Sequence, residues 1–295
     1  MQRLPVVVGI GEVLWDVFPD AAHFGGAPAN FACHSAALGA EAWIVSAVGC
    51  DELGERARET LRRKGVHVGF LQTEEWHGTG SVHVTLDARG QATYAFAPDP
   101  AWDHLSWSSG LEALARRCDA VCFGTLAQRS ATAADTIHRF LNATAPAAWR
   151  VFDVNLRQNF YCREILLRSL ATANVLKLND EELPVLQELL DLGGGSEEML
   201  LRALGERFGL KGIAFTRGAH GSLLWWRGEF HEEVPTPVEV LDTVGAGDSF
   251  TAALILGLLR DESVEVIHRR ASGIASYVCS QRGATPELPE RFMRG

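Results

Sequence analysis

Short apolar segments alternate with helical patterns along most of the chain. The segments 6–10, 43–48, 120–123, 151–154, 175–178 and 212–215 have the length and continuous apolar character of buried strands. Helical patterns separate or follow them at 28–38, 52–64, 108–117, 131–143, 161–172, 181–191, 197–208, 248–260 and 262–279. This alternation predicts an α/β fold in three layers, with a mostly parallel central sheet covered by helices on both faces.

One region departs from this pattern. Residues 81–87 alternate apolar and polar side chains, turn at 87–90 and return through the apolar positions of 92–96, which predicts a hairpin. Residues 13–18 form a second extended segment. Strands of period two inside an α/β chain indicate a small β-sheet beside the main layers, although an extra hairpin packed flat on the core would give the same pattern.

Polar residues follow three of the predicted strands, at 153–157, 177–179 and 215–218. Ligands of parallel α/β sheets bind beyond the carboxyl ends of the strands, so these segments are expected to meet at a binding site.

The run Asp-Thr-Val-Gly-Ala-Gly-Asp at 242–248 leads directly into an apolar helical pattern. Gly245, Ala246 and Gly247 would let backbone N–H groups converge on an anion at a helix start, where the helix dipole adds about half a positive charge. A carboxylate repels phosphate, so Asp248 is interpreted as a base that takes the proton of an attacking hydroxyl. The alternative is that Asp248 caps the helix and the glycines only make the turn.

A second glycine-rich run, Gly-Gly-Ala-Pro-Ala-Asn, lies at 25–30. Proline is tolerated in a first helical turn, and apolar residues follow at helical spacing until Gly39. Gly26 permits close approach of a ligand, and Asn30 offers a donor and an acceptor that suit a sugar hydroxyl. Simple chain reversal is the alternative for this run taken alone.

Composition agrees with a globular enzyme and excludes several classes. The chain has 295 residues and a net charge of −10, which argues against nucleic acid or an anionic membrane as its main partner. No apolar run approaches a membrane span, no cleavable leader is predicted, and the six cysteines form no Cys-x-x-Cys pair, so a cytoplasmic protein with reduced thiols is expected. The ten histidines are scattered, and none is predicted as a ligand.

The sequence lacks the signatures of several other nucleotide-binding and catalytic sites. The run beginning at Gly9 has Leu14 where a dinucleotide fingerprint needs its third glycine. A Gly-Lys dipeptide is absent, which excludes a Walker phosphate loop, and neither Gly-x-Ser-x-Gly nor His-Glu-x-x-His occurs.

Taken together, the runs at 25–30 and 242–248 resemble the two signatures of the ribokinase-like (PfkB) carbohydrate kinase family. The similarity continues through 11–16, 48–54, 179–182, 216–218 and 282–284, and so covers nearly the whole chain. It implies one ribokinase-like kinase domain over 1–295. Lid segments at about 12–25 and 79–100 would close over the sugar and, as often in relatives, form a homodimer contact.

The resemblance also implies ATP-dependent phosphoryl transfer and assigns residues to it. The sugar would contact Asp16, Gly26 and Asn30. The nucleotide side would include Asn179, Thr216, Gly218 and Ser272, the last at a position where relatives often carry Asn or His. Glu182 would order Mg²⁺ through water, and Asp242, Val244 and the carbonyls of 282–284 would hold a monovalent cation such as K⁺. The pair Asn179 and Glu182 also has the spacing of a helix capping box.

Arg157 has three open interpretations: it contacts phosphate, contacts substrate, or neutralises Asp153. Apart from Arg89 at the predicted hairpin tip, residues 12–50 and 71–110 contain no Lys or Arg. A sugar acid or sugar phosphate normally requires a positioned cation, so a neutral sugar is favoured.

Within the family the chain looks most like fructokinases, which makes fructose the first choice and ribose the second. The alternatives are a ribokinase, a 2-keto-3-deoxygluconate kinase or a nucleoside kinase. A non-catalytic sugar-binding protein is a further alternative, against which the presence of Asp248 counts.

Overall fold

The computed structural model describes residues 3–86 and 92–293. Its strands are β1 (Val6–Ile10), β2 (Leu14–Val17), β3 (Ala22–Gly25), β4 (Glu41–Gly49), β5 (His67–Glu74), β6 (Gly80–Leu86), β7 (Ala92–Phe96), β8 (Ala120–Phe123), β9 (Trp149–Asp153), β10 (Val175–Asn179), β11 (Gly212–Thr216), β12 (Ser222–Trp226) and β13 (Glu229–Glu233). Its helices are α1 (Ala27–Ala37), α2 (Glu52–Arg63), α3 (Ser109–Arg117), α4 (Ala131–Ala143), α5 (Arg163–Thr172), α6 (Glu182–Leu189), α7 (Glu197–Phe208), α8 (Ala246–Leu259), α9 (Val264–Cys279) and α10 (Glu290–Met293).

The described strands form a large sheet and a small one. The large sheet has the order β13-β12-β11-β10-β9-β8-β1-β4-β5 and is parallel from β11 to β5, with β12 and β13 added antiparallel at one edge. The predicted mostly parallel sheet is therefore confirmed. Its continuous apolar strands pack on both faces, as the apolar segments predicted.

Two of the three hydrophobic clusters of the described residues lie on opposite faces of the large sheet. In β1, Val6, Val8 and Ile10 belong to one core, and Val7 belongs to the other, because alternate side chains of a strand point to opposite faces. The first core includes buried residues of α3 to α7, and the second is built from α1, α8 and α9. The three predicted layers follow from this division.

The small sheet has the order β3-β2-β6-β7. Strands β6 and β7 pair antiparallel, which confirms the predicted hairpin, although the predicted turn at 87–90 lies outside the described residues. Strand β2 lies between β3 and β6, so the segment at 13–18 joins the hairpin in one sheet and the flat-packed alternative is wrong. Among the described ranges, no helix combines the length and apolar character needed to cross a membrane.

Two edge strands of the large sheet had no prediction. Strand β5 alternates exposed and partly buried residues at the outer edge of the large sheet, and β13 is largely polar at the opposite edge. Because neither is buried on both faces, neither has the apolar run that marked the inner strands.

Candidate active site

The polar ends of the parallel strands meet the start of α8. Gly245 is the N-cap residue of this helix, with φ of 80°, and a Cβ there would lie 2.1 Å from Ala284 O. Only glycine fits this left-handed position against a neighbouring backbone. Helix α8 begins at Ala246, two residues before the predicted start, so Ala246 and Gly247 lie inside its first turn.

The N-terminus of α8 has no side-chain cap in the described structure. Asp248 lies in the first turn, but its carboxylate turns to another helix, where Asn30 Nδ2 donates to Asp248 Oδ2 at 2.8 Å. The capping alternative for Asp248 is therefore wrong. Ala246 N donates to Thr243 O over a long 3.3 Å contact. Since no side chain caps this turn, the amides of Gly245 and Gly247 and the positive end of the helix dipole are available to an anion.

Asn30 lies in the first turn of α1 and is only 3% exposed. Its amide nitrogen is used by Asp248, whereas its Oδ1 is buried and has no partner among the described residues. A buried acceptor without a donor costs free energy unless a ligand satisfies it. Asn30 thus holds Asp248 with one atom and offers the other to a hydroxyl group.

The electrostatic environment of Asp248 suits a base. Burial, followed by repulsion from the Asp153 carboxylate, raises the pKa of Asp248 to about 7, although Lys177 and the Asn30 hydrogen bond act in the opposite direction. A carboxyl with a pKa near neutrality can accept a proton and release it again at physiological pH.

Lys177 and Asp153 form an ion pair under the α8 turn. These residues are register partners on the parallel strands β10 and β9, and Lys177 Nζ lies 3.1 Å from Asp153 Oδ1 with both side chains almost fully buried. A Cβ on Gly247 would lie 2.8 Å from Lys177 Nζ, so glycine lets the ammonium group approach the turn. Burial lowers the pKa of Lys177, but the surrounding carboxylates, Asp153 foremost, raise it above its ordinary value.

Glu12 is a further buried carboxyl at this site. It follows β1, is 1% exposed, and its Oε2 has no partner among the described residues. Burial raises the pKa of Glu12 to about 7, with a further upward contribution from Asp248 that Arg157 opposes. Sequence reasoning gave Glu12 no role, although a glutamate directly after a buried strand is a recognisable signal.

Asp16 and Gly26 lie near the start of α1, where Gly26 is the N-cap residue and a Cβ on the adjacent Gly25 would lie 3.4 Å from Asp16 Oδ2. Asp16 lies on β2 of the small sheet, and burial raises its pKa while the charges of Arg157 and His23 oppose that shift. Gly26 has φ of 106°, and a Cβ there would lie 2.5 Å from Glu12 O. The glycine therefore allows the α1 start to lie against the backbone of Glu12, between β1 and β2.

Arg157 is exposed on the loop after β9 and donates to the neighbouring Leu156 O at 3.1 Å. Its positive charge opposes the rise that burial causes in the pKa values of Glu12, Asp16 and Asp248. Arg157 is therefore close enough to these carboxyls to act on them electrostatically. The partner of Asp153 is Lys177, so the interpretation that Arg157 merely neutralises Asp153 is wrong.

Asn179 and Glu182 form the predicted capping box. Asn179 Oδ1 accepts from Glu182 N, and Glu182 Oε2 accepts from Asn179 N, both at 2.9 Å. Glu182 Oε1 accepts a third bond, from Leu156 N at 2.9 Å. Burial raises the pKa of Glu182, and the Lys177 ammonium opposes this shift.

The residues expected on the nucleotide side occupy the end of β11 and one face of α9. Thr216 ends β11, and Gly218 follows with φ of 52°. Ser272 lies on α9, with its Oγ 3.3 Å from Ser222 Oγ. His268 lies one helical turn earlier, and its Nε2 is 2.7 Å from the same Ser222 Oγ. The sequence did not predict that this histidine would lie beside Ser272.

Asp242 ties the run at 242–248 to the segment at 282–284. Its Oδ1 accepts from Val244 N and its Oδ2 accepts from Gly283 N, both at 3.0 Å. The two segments predicted to hold a monovalent cation are thus joined through one carboxylate.

Comparison with known proteins identifies the family. Residues 16–291 match the family described as pfkB family carbohydrate kinase. The chain belongs to the pfkB family of carbohydrate kinases. It is 31% identical to the fructokinase of Salmonella typhimurium over 298 residues, which covers 95% of each chain.

Two solved structures share the fold. The structure of a fructokinase from Xylella fastidiosa with bound ATP has a TM-score of 0.86 at 22% identity, covering 96% of this chain and 95% of that one. A putative ribokinase II from E. coli in complex with ATP and Mg²⁺ has a TM-score of 0.85 at 22% identity and covers 99% of both chains. These likenesses confirm the ribokinase-like α/β fold, and family membership makes the chain a carbohydrate kinase of fructokinase-like sequence.

Within this pfkB kinase, the structure brings Asp248, Asn30 and the Gly245 turn into one site. The site also includes Glu12, which had no predicted role, and Lys177 and Asp153, which were expected there only as members of the segments 177–179 and 153–157. Lys177 and Asp153 carried a usable signal, because Lys177 interrupts the apolar run of β10, Asp153 ends the buried part of β9, and a buried charge needs a partner.

Proposed function

We propose that this chain is a fructokinase that transfers the γ-phosphoryl group of ATP to a hydroxyl of fructose. The observation that carries the proposal is the partly buried hydrogen bond between Asn30 and Asp248 at the uncapped N-terminus of α8. It combines a base with a pKa near 7, a hydroxyl-binding amide and an anion-binding turn. The fructokinase relative from Salmonella, 31% identical, supports the choice of sugar.

Asp248 performs the proton transfer in the proposed mechanism. The sugar hydroxyl oxygen forms a bond to the γ-phosphorus as its proton passes to an oxygen of Asp248. The bond between the γ-phosphorus and the bridging oxygen breaks, and ADP leaves with that electron pair. The amides of Gly245, Ala246 and Gly247 stabilise the charge that spreads over the transferred group, which is the main requirement of phosphoryl transfer.

The donor set beneath the turn fits a nucleotide with its metal ion. Mg²⁺, when bound with ATP, supplies charge neutralisation at the phosphates. Glu182 would order its water shell, because each carboxylate oxygen already accepts backbone amides and keeps a further lone pair for water. Asn179 would contact the phosphates, while Thr216, Gly218 and Ser272 would line the nucleoside side.

Asp16, Gly26 and Asn30 would bind the sugar, and the small sheet that carries Asp16 would close over it as a lid. This sheet consists of β2, β3, β6 and β7, which lie within the proposed lid segments 12–25 and 79–100. Its edge is also the proposed contact of a homodimer.

The charge distribution supports a neutral acceptor. Arg129 lies near the small sheet, but it is already paired: its Nε and its Nη2 donate to the Asp103 carboxylate, at distances from 2.8 to 3.1 Å. Arg157 remains as the cation whose charge reaches both Asp16 and Asp248. One exposed arginine whose charge already acts on three site carboxyls is a weak receptor for an additional anion.

The test is ADP release by the purified chain with ATP and Mg²⁺ across fructose, ribose, 2-keto-3-deoxygluconate, fructose 6-phosphate and adenosine. The proposal expects fructose to give the highest kcat/KM. A higher value with the sugar acid or the sugar phosphate would overturn the neutral-acceptor argument, and Arg157 would then be the residue to substitute. ADP release equal to the sugar-free rate with every acceptor would favour the non-catalytic alternative.

A further inference from the structure

Two histidines and an aspartate meet at the base of the β6/β7 hairpin. His104 Nε2 lies 2.6 Å from Asp99 Oδ1, and His77 Nε2 lies 3.3 Å from Asp99 Oδ2. The two imidazole rings stack with centroids 3.5 Å apart and planes 11° apart. One potential ligand atom from each of the three residues therefore lies within 4.8 Å of the others.

His77 faces carboxylates with both ring nitrogens. Its Nδ1 lies 3.4 Å from Glu74 Oε1, while its Nε2 faces Asp99. His77 Nδ1 is buried and makes no hydrogen bond of good geometry within the described structure. A neutral imidazole donates from one nitrogen only, so one of these carboxylates meets a lone pair unless the ring is cationic or a cation lies between them.

We propose that His77, Asp99 and His104 bind a divalent transition-metal ion of the Zn²⁺ type. The ion would take Nε2 of both rings and one oxygen of Asp99, with water as the fourth ligand, which is a common open arrangement for zinc. Glu74 would then accept from Nδ1–H of His77, as carboxylates beside metal-bound histidines do. Imidazole nitrogens disfavour Mg²⁺, which prefers oxygen, so the site would be distinct from the magnesium of the kinase reaction.

Modest side-chain movement forms this site. Zinc bonds of about 2.0–2.1 Å in a tetrahedron separate the ligand atoms by about 3.4 Å. His77 Nε2 lies 3.3 Å from Asp99 Oδ2, already nearly this separation, whereas the 2.6 Å contact of His104 Nε2 is with the other oxygen, Oδ1. The Asp99 carboxylate must therefore rotate so that one of its oxygens faces both rings. The rings must also tilt out of their parallel stack, because a metal lies in the imidazole plane. Both side chains have freedom to do so, being 25% and 33% exposed.

The three residues of the proposed metal site lie on both of the segments that connect the β6/β7 hairpin to the rest of the protein. His77 lies on the segment that enters the hairpin, whereas Asp99 and His104 lie on the segment that leaves it, and Ala101 N donates to Gly78 O between them at 2.8 Å. A metal ion would cross-link the two connections of the β6/β7 hairpin and stabilise its attachment to the large sheet.

The experiment uses the full-length chain without a histidine tag, freed of metal by chelation and titrated with Zn²⁺ by calorimetry in excess Mg²⁺. The expected result is one equivalent bound with a Kd in the micromolar range or tighter, and a Tm that rises with Zn²⁺. Substitution of Co²⁺ should give the visible absorption of a tetrahedral site. Asp99→Asn and His104→Asn should each weaken binding by about 10-fold or more.

His83→Asn is the matched control, because His83 is an exposed histidine of the same hairpin. It should bind Zn²⁺ as the wild type does. Circular dichroism identifies any variant that fails to fold, and the remaining variant then decides. Absence of saturable binding by the wild type, or equal binding by the wild type and a folded cluster variant, would overturn the proposal.

Discussion

The side-chain amide of Asn30 donates a 2.8 Å hydrogen bond to Asp248 Oδ2 and so joins the first turns of α1 and α8, which are 218 residues apart in sequence. The two helices pack side by side in the same core. The bond orients the carboxylate and leaves its second oxygen for a proton. The two glycine-rich runs of the sequence therefore form one site.

Asp16 is expected to contribute to sugar binding through hydroxyl hydrogen bonds. Asp16→Ala should lower kcat/KM for fructose by about 10-fold or more, since a charged hydrogen bond contributes roughly 1.5–3 kcal/mol. Asp20→Ala is the control, because Asp20 is an exposed aspartate between β2 and β3. Steady-state kinetics at varied fructose measures both. An unchanged kcat/KM in Asp16→Ala would remove this residue from the sugar site.

Activity should depend on pH through the buried carboxyls. The pKa values of Asp248 and Glu12 are both raised to about 7, chiefly by burial. Because the base must be ionised to accept a proton, kcat/KM for fructose should rise with pH and level off above about 7. Glu12→Gln removes a neighbouring negative charge and should shift this rise to lower pH. A flat profile from pH 5 to 8 would contradict the assignment of a base with this pKa.

The raised pKa values of Asp248 and Glu12 also determine how the free energy of unfolding depends on pH. Both carboxyls have folded-state pKa values above their ordinary values, so the folded state binds more protons than the unfolded one. Their contribution to the free energy of unfolding therefore falls as pH rises from about 4 to about 7. Above that range Asp248→Asn should be more stable than the wild type, which urea unfolding at two pH values can check.

The stability of the protein should depend on Lys177 and Asp153 together, because each neutralises the buried charge of the other. Lys177→Met leaves the Asp153 carboxylate buried without a partner and should lower the free energy of unfolding by about 3–5 kcal/mol. The double variant Lys177→Met/Asp153→Leu removes both charges and should recover a large part of that loss. Urea denaturation of the wild type, Lys177→Met and the double variant measures their free energies of unfolding. A double variant no more stable than Lys177→Met would show that the charges are not coupled.

A monovalent cation is expected near Asp242. The carboxylate joins the turn at 242–248 to Gly283, so a cation held there would shape the α8 turn. Activity should be higher in K⁺ than in Na⁺ at matched ionic strength, and Asp242→Ala should remove the difference. Equal rates of the wild type in the two salts would contradict the prediction.

The sequence predicted the inner elements of the fold well, for physical reasons. Buried parallel strands have continuous apolar runs, and helices such as α2 have amphipathic faces and caps, as in the Asp51 side chain that accepts from Gly54 N. Edge strands β5 and β13 lack such runs and were missed. Their position follows from pairing with neighbours that are distant in sequence.

Those parts of the candidate site that lie within a short sequence motif could be predicted from the sequence. The glycine turns and the capping box of Asn179 and Glu182 can be recognised within a few residues. The contact of Asn30 with Asp248 and the pairing of His77 with His104 through Asp99 arise only from tertiary packing. For this reason the histidines, scattered in sequence, gave no indication of a cluster.

The most direct test of the account compares Asp248→Asn with the wild type in phosphorylation of fructose by ATP. The amide keeps the shape of the carboxyl and an acceptor for Asn30 but cannot take the hydroxyl proton. We predict that kcat falls by roughly 10²–10⁴ while fructose affinity, measured by calorimetry, stays unchanged. Asp261→Asn, an exposed substitution just beyond the opposite end of α8, should behave as the wild type. An Asp248→Asn enzyme that retains wild-type kcat would show that Asp248 is not the base.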